Sequence, residues 1–331
     1  MKLSILDQSP ISSNQTPQEA LEATMKLAER AEKLGYTRFW IAEHHALPGL
    51  ASSVPEVMLS YIGANTNSIR IGSGAVLLPY YKPYKVAETY NMLATLFPGR
   101  VDIGVGRAPG GSAEASAALS DNFLQSVFKM PELLKDLINY VDDKDEQVKA
   151  APLPPVRPEI WMLGTSEKSA RAAAENGLAY AFGQFMSDTE AESVVEQYRK
   201  AFKPRYEGQQ PYVILTVSII CAETTEKAET LADSYLVWQV KNDQGNNFRG
   251  IPSLKEAEGV ELSPEEQKKI DDMKNQMIIG NPDIVRNELN RIQEDTDTDE
   301  FMIVTITYSP EDKQNSYRLI AEQFQLQKSK K

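Results

Sequence analysis

The chain of 331 residues contains only two histidines, His44 and His45, and they stand side by side. They follow the apolar run Phe39–Ala42, which is typical of a buried strand. Histidine is the side chain whose ordinary pKa lies nearest to neutral pH, so it is suited to move protons or to recognise a ligand. The pair therefore predicts proton chemistry or ligand recognition at a strand end. A chance pair that only terminates the strand is the alternative.

Other kinds of site have weaker support in the sequence. Adjacent strand residues point to opposite faces, so His44 and His45 rarely share one metal ion, and no metal site is predicted. The single cysteine, Cys221, lies in an apolar run and is typical of a small buried side chain. Pro109 stands where a dinucleotide fingerprint starting at Gly104 needs its third glycine. No Gly-x-Ser-x-Gly elbow of a serine hydrolase occurs.

A second polar group follows two later apolar runs. Arg107 lies in a glycine-rich stretch, and Thr165 and Ser166 directly precede a helical pattern. Backbone N–H groups at a helix N-terminus bind anions, and an arginine can add a bidentate contact to a phosphate. The pattern permits a phosphate site, although a hydroxyl that only caps the helix explains it as well.

Eight short apolar runs, each followed by a helical pattern, must position these residues. The alternation predicts a parallel (β/α)8 TIM barrel, in which active sites lie at the C-terminal ends of the strands. An open, doubly wound sheet has the same local pattern and stays the structural alternative. The predicted strands are Leu3–Leu6, Arg38–Ala42, Ile69–Leu78, Val101–Val105, Ile160–Leu163, Leu178–Phe182, Tyr212–Ala222 and Phe301–Ile306.

We expect one domain over residues 1–331, with a polar insertion at 241–275 between strands seven and eight that is typical of a mobile loop. Asp and Glu outnumber Lys and Arg by 47 to 35, and the net charge of −12 disfavours binding to nucleic acids or anionic membranes. The N-terminus does not have the pattern of a signal peptide, and no apolar stretch is long enough to span a membrane, so a cytoplasmic location is expected.

Several segments together resemble the bacterial luciferase-like, flavin-dependent monooxygenases, in order and spacing, from residue 1 to about 325. The resemblance implies a TIM-barrel oxidoreductase that uses reduced FMN and O2 to oxygenate a small organic substrate. It implies that His44 lies beside the flavin and assists proton handling at the peroxyflavin, whereas His45 has a structural role. The matching segments are Phe39–His45, Ile71–Pro79, Gly99–Arg107, Trp161–Ser166 and Gly177–Phe182.

The resemblance also assigns residues to the cofactor site. It implies a non-proline cis peptide bond between Gly74 and Ala75, next to the flavin. The segment 241–275 matches the family's mobile loop, which we hypothesise to cover the reduced flavin. The FMN phosphate is expected at Arg107, Thr165, Ser166 and Ser169.

Partners and alternatives complete the expectation. Because a nicotinamide fingerprint is missing, a separate flavin reductase is expected to supply the reduced FMN. A homodimer through the helices at about 54–65 and 85–96 is also expected, with Val57, Met58, Tyr61, Ile62 and Met92 as its apolar residues.

Three alternatives stay open: an F420-dependent oxidoreductase, a non-redox barrel enzyme that acts on a phosphorylated substrate with His44 as base, and a flavin-binding protein without activity. Light emission is not expected, because Gly106 and Gln184 replace the cysteine and the tryptophan of light-emitting luciferases.

Overall fold

The computed structural model describes residues 1–243 and 248–327, and its strands form one parallel sheet that closes on itself. The strands are β1 (Lys2–Asp7), β2 (Arg38–Ile41), β3 (Arg70–Ser73), β4 (Val76–Leu77), β5 (Val101–Gly106), β6 (Glu159–Gly164), β7 (Ala179–Gly183), β8 (Val213–Cys221), β9 (Ile278–Gly280) and β10 (Glu300–Val304). Closure occurs because β10 pairs with both β1 and β8. The predicted (β/α)8 barrel is therefore confirmed, since an open sheet would leave two edges unpaired.

The third barrel strand is divided into β3 and β4. The peptide bond between Gly74 and Ala75, where the strand is interrupted, is cis, as the resemblance implied. The strand also ends earlier than predicted, because Leu78–Tyr80 forms a short 3-10 helix. Pro79 has no N–H group for a strand ladder, which explains the early end.

Helices follow the strands around the outside of the barrel. They are α1 (Pro17–Leu34), α2 (Pro55–Asn65), α3 (Pro83–Leu96), α4 (Ala113–Leu119), α5 (Phe123–Phe128), α6 (Met130–Val141), α7 (Glu167–Glu175), α8 (Ala191–Ala201), α9 (Thr225–Asp243), α10 (Leu254–Glu258), α11 (Pro264–Asn275), α12 (Pro282–Thr296) and α13 (Pro310–Gln323). The sequence over 121–141 has one continuous helical pattern and predicts a single helix, but the structure has α5 and α6 there. Pro131 cannot donate a helical hydrogen bond, so the chain starts a new helix at Met130.

The insertion at 241–275 is helical over much of its described length. Ser253 and Ser263 start α10 and α11 with capping boxes. The backbone of Ile251, which is fully buried, exchanges hydrogen bonds with the loop after β1. Residues 244–247 lie outside the described part of the chain, and the mobility of the insertion stays a prediction.

Two apolar layers and one ionic cluster hold the barrel together. Trp40 and Trp161 pack edge to face inside the barrel, with ring centroids 5.3 Å apart, while a larger apolar layer joins the sheet to the helices. At the N-terminal ends of the strands, the buried Arg38 donates to Asp102 at 2.9 Å and to Glu300 at 2.8 Å. Removal of one member of this buried cluster should destabilise the fold strongly, because it leaves a buried charge without a partner.

The expected apolar face of α2 and α3 is only partly exposed. Met58 and Ile62 pack into the core, so their assignment to an exposed interface was wrong. Val57, Tyr61 and Met92 are exposed. Within the described residues, no helix is long and apolar enough to cross a membrane.

Candidate active site

A cavity of about 420 Å³ opens at the C-terminal ends of the strands. Its walls come from the loops after β2, β5 and β6 and from the break between β3 and β4. The structure thus brings together every residue that the sequence assigned to the site, although they come from four separate parts of the chain. These lining residues are His44, Gly74, Ala75, Arg107, Thr165, Ser166 and Ser169.

His44 is held by its backbone, and its ring is left without a partner. Its N–H donates to the Ser52 carbonyl at 2.8 Å. Both ring nitrogens are buried and have no hydrogen-bond partner among the described residues. Burial lowers the pKa of His44 to about 4. The Gly110 backbone opposes this lowering in part, and His45 beside it adds a smaller lowering. The imidazole is therefore neutral at pH 7 and has one donor and one acceptor available for a ligand.

Glu43 organises the neighbourhood of His44, and the sequence analysis did not identify it. Its buried carboxylate accepts hydrogen bonds from the Leu77 N–H at 2.9 Å and the Tyr81 hydroxyl at 2.5 Å. The same carboxylate contacts His45 Nε2 at 2.8 Å. Burial and the Glu43 carboxylate raise the pKa of Tyr81. Glu43 thus joins the end of β2 to β4 and holds His45 by a side-chain contact, while the role of His45 stays a prediction.

The N-terminus of α7 lines the same cavity through Thr165, Ser166 and Ser169. Ser166 caps the helix, with its Oγ 3.4 Å from the Ser169 N–H, and Ser169 Oγ lies 2.9 Å from the Tyr180 hydroxyl. A Cβ atom on Gly164 would lie 2.1 Å from Ser169 Oγ, so only glycine fits there. The first N–H groups of a helix have no partner within the helix, and they make this terminus able to bind an anion.

Arg107 supplies positive charge at the same cavity. Its side chain is exposed and makes no hydrogen bond or ion pair within residues 1–243 and 248–327. Ser166 does cap the helix, as the capping explanation requires. An unpaired arginine that lines the same cavity as a helix N-terminus is not needed for capping, and it suits a phosphate group.

The wall between His44 and Arg107 is made of very small residues. A Cβ atom on Gly106 would lie 3.1 Å from the Ala75 Cβ, and one on Gly74 would lie 2.7 Å from Leu6 Cδ1. These small residues, here called the cradle, leave this part of the cavity wall without large side chains, so it can accept a flat group. The residues of the cavity therefore fit FMN, because the small residues of the wall can accept its ring and the N-terminus of α7 with Arg107 can bind its phosphate. A side chain at position 106 would crowd Ala75.

Several further lining residues were missed because nothing in their sequence surroundings marks them. Gln8 and the buried Thr216 add polar groups, and Val127, Phe185 and Met186 add an apolar side. Thr216 lies within a continuous apolar strand. The sequence of such a strand does not show which side chains point into the barrel, because that depends on how the barrel closes.

Comparison with known proteins defines the class of this chain. Residues 1–299 match the family described as luciferase-like monooxygenase, and the chain belongs to this family. The expected family is therefore confirmed. The chain is 36% identical to the N-acetyl-S-alkylcysteine monooxygenase of Bacillus subtilis over 97% of its own length and 98% of the relative's. It is 43% identical to the protein YwcH of the same organism, over 98% of this chain and 99% of that one.

Solved structures share the fold of this chain. The structure of apo-MsnO8 is 35% identical, covers 98% of both chains and has a TM-score of 0.90. Two more distant structures share the fold: the oxygenating constituent of 3,6-diketocamphane monooxygenase from Pseudomonas putida in complex with FMN, and an F420-dependent secondary alcohol dehydrogenase in complex with an F420–acetone adduct. The first is 19% identical over 97% of both chains, with a TM-score of 0.70. The second is 14% identical over 97% of this chain and 98% of that chain, with a TM-score of 0.66.

Proposed function

We propose that this monooxygenase uses reduced FMN and O2 to oxygenate a small organic substrate in the cavity at the C-terminal rim. The observation that carries the proposal is that, among the described residues, one cavity is lined by an imidazole without a hydrogen-bond partner, by an unpaired arginine and by the N-terminus of α7. When bound, reduced FMN supplies the two electrons that allow one oxygen atom of O2 to enter the substrate and the other to leave as water.

Three groups of residues have different roles in this proposal: phosphate binding, support of the flavin ring and proton transfer. Arg107, Thr165, Ser166 and Ser169 hold the phosphate, and the cradle at Gly74 and Ala75 supports the ring. His44, the catalytic residue, moves a proton at its ring nitrogens beside the reacting atoms. A neutral imidazole at pH 7 can accept a proton, which an imidazolium cannot.

FMN is favoured over F420 by the anion site. The terminal phosphate of FMN is a monoester with up to two negative charges, and it matches a helix N-terminus combined with a free guanidinium. One fold neighbour holds FMN and another holds an F420 adduct, so the fold accommodates both. The test is a titration of the protein with each cofactor, and tighter binding of F420 would replace FMN in this proposal.

The first substrate class to examine is the S-alkyl thioethers. The support is the N-acetyl-S-alkylcysteine monooxygenase, which is 36% identical over nearly the whole chain. Oxygenation of a thioether would transfer one oxygen atom to the sulfur. Formation of a sulfoxide in the presence of reduced FMN and O2, and its loss in His44→Ala, would support both the class and the role of His44.

Partners follow from the same proposal. A separate reductase would supply reduced FMN, because the Gly104–Gly110 stretch lacks the glycine pattern that binds a dinucleotide. A homodimer would cover the exposed apolar side chains of α2 and α3, among them Val57, Tyr61 and Met92. Sedimentation of the wild type and of Val57→Glu tests this, and a wild type that stays monomeric at micromolar concentration would exclude the dimer.

A non-redox enzyme that acts on a phosphorylated substrate would use the same anion site. The titration separates the two functions, because that enzyme would bind phosphorylated substrates without affinity for any flavin. A flavin-binding protein without activity would instead bind FMN and leave every substrate unoxygenated.

A further inference from the structure

A group of exposed apolar side chains continues from two residues that line the cavity, Val127 and Met186. Leu124, Phe128 and Met186 are 72%, 85% and 63% exposed and are among the most exposed large apolar residues of the described chain. Met186 lines the cavity itself, as does Val127 on α5. Residues three and four positions apart are neighbours on a helix, so Leu124 and Phe128 extend the apolar surface that starts at Val127.

These side chains are not used to pack the protein. Neither α4 nor α5 contains a buried residue. The helix α5 is held instead through Phe123, whose ring stacks on Tyr80 with centroids 4.5 Å apart. Single exposed apolar residues are ordinary, but several adjacent ones that continue the wall of a cavity indicate a binding surface.

We infer that Leu124, Val127, Phe128 and Met186, here called the apolar rim, bind an apolar arm of the substrate while its reacting head lies in the cavity near His44. The inference rests on the proposed function and specifies its substrate class: a molecule with a compact polar head and an alkyl or aryl arm. The polar groups for the head are present deeper in the cavity, at Gln8 and Thr216.

A protein partner is a less suitable occupant of the apolar rim. Four side chains offer on the order of 500 Å² at most, whereas a standard protein interface buries about 800 Å² on each partner. The rim is also continuous with the cavity, which a docking surface for another protein does not require.

The test is a series of ligands that differ only in the length of the arm. N-acetyl-S-alkylcysteines with methyl, butyl and octyl groups are titrated calorimetrically into the FMN-loaded protein, and n-alkanols from butanol to decanol form a second series with another head. Each buried methylene should tighten binding by about fourfold. The double variant Leu124→Ser with Phe128→Ser should weaken octyl binding about tenfold or more and leave methyl binding unchanged.

A matched control is Tyr206→Ser. Tyr206 is an exposed ring, in the loop between α8 and β8 at the other end of the barrel, and its loss should not alter the dependence on arm length. The affinity for FMN is measured in every variant. Wild-type affinities that do not change with arm length in either series would overturn the inference while leaving the proposed function intact.

Two other outcomes are also decisive. If the double variant slows turnover only when a reductase delivers the flavin, the rim binds a protein and the inference is wrong. If the wild type binds no flavin, the proposed function fails, and the two ligand series, titrated into the flavin-free protein, still report whether the rim recognises an apolar arm.

Discussion

Replacing His44 by asparagine should remove a specific dependence of stability on pH. Burial lowers the pKa of His44 from 6.5 to about 4 in the folded chain. Between these two values the unfolded chain binds more protons than the folded chain, so the free energy of unfolding falls as the pH falls. The stabilising contribution is present above pH 6.5 and is lost as the pH falls toward 4.

The magnitude follows from the two pKa values. At pH 5 the histidine is almost fully protonated in the unfolded chain and roughly one tenth protonated in the folded chain. The wild type should therefore lose about 2 kcal/mol of unfolding free energy through His44 between pH 8 and pH 5. His44→Asn lacks this loss, whereas the neighbouring variant His45→Asn, which keeps His44, should retain it.

Urea unfolding of the flavin-free protein, followed by tryptophan fluorescence at pH 8 and pH 5, measures the difference. The quantity to compare is the change in unfolding free energy between the two pH values in each variant. Equal changes in the wild type and in His44→Asn, within about 0.5 kcal/mol, would show that the ring is not held neutral and would refute the reasoning.

The other predictions concern neighbouring groups. Arg107→Ala should weaken FMN binding roughly 10- to 100-fold, whereas Arg286→Ala on the surface of α12 should not, and equal effects in a fluorescence titration would contradict the anion site. Glu43→Gln replaces a carboxylate that contacts three hydrogen-bonding groups by an amide, which cannot accept from all of them. The variant should lose about 1–3 kcal/mol of unfolding free energy in urea and have a lower kcat in initial-rate measurements. Asp102→Asn removes the charge that pairs with the buried Arg38 and with Arg70, so it should lower the unfolding free energy by about 3–5 kcal/mol in the same assay. An unchanged urea midpoint would contradict this prediction.

The barrel and the position of its site could be predicted from the sequence because both depend on regular geometry. Alternating strands and helices indicate parallel pairing, and parallel strands bring all their C-terminal ends to one rim. His44, Arg107 and Ser166 follow three different strands, so their meeting at one cavity follows from the fold alone. The assignments of cofactor roles came from the resemblance, and they stay predictions.

Features that depend on contacts between distant segments could not be predicted. The partner Leu77 lies 34 residues from Glu43, and no local pattern links the two. Whether Met58 or Val57 faces the core depends on how α2 packs against the barrel. The apolar rim was hidden because one helix was expected over 121–141, and such a helix would have placed Leu124 and Phe128 in a regular amphipathic surface.

A single-turnover reaction with labelled oxygen tests the central claim most directly. The protein is loaded anaerobically with reduced FMN and an N-acetyl-S-alkylcysteine, then mixed with ¹⁸O₂, and the product is analysed by mass spectrometry. We expect one labelled oxygen atom in the product for each flavin oxidised, and strong loss of this product in His44→Ala. Flavin oxidation that yields only hydrogen peroxide with this and every other substrate tried, or a protein that binds no reduced FMN, would contradict it.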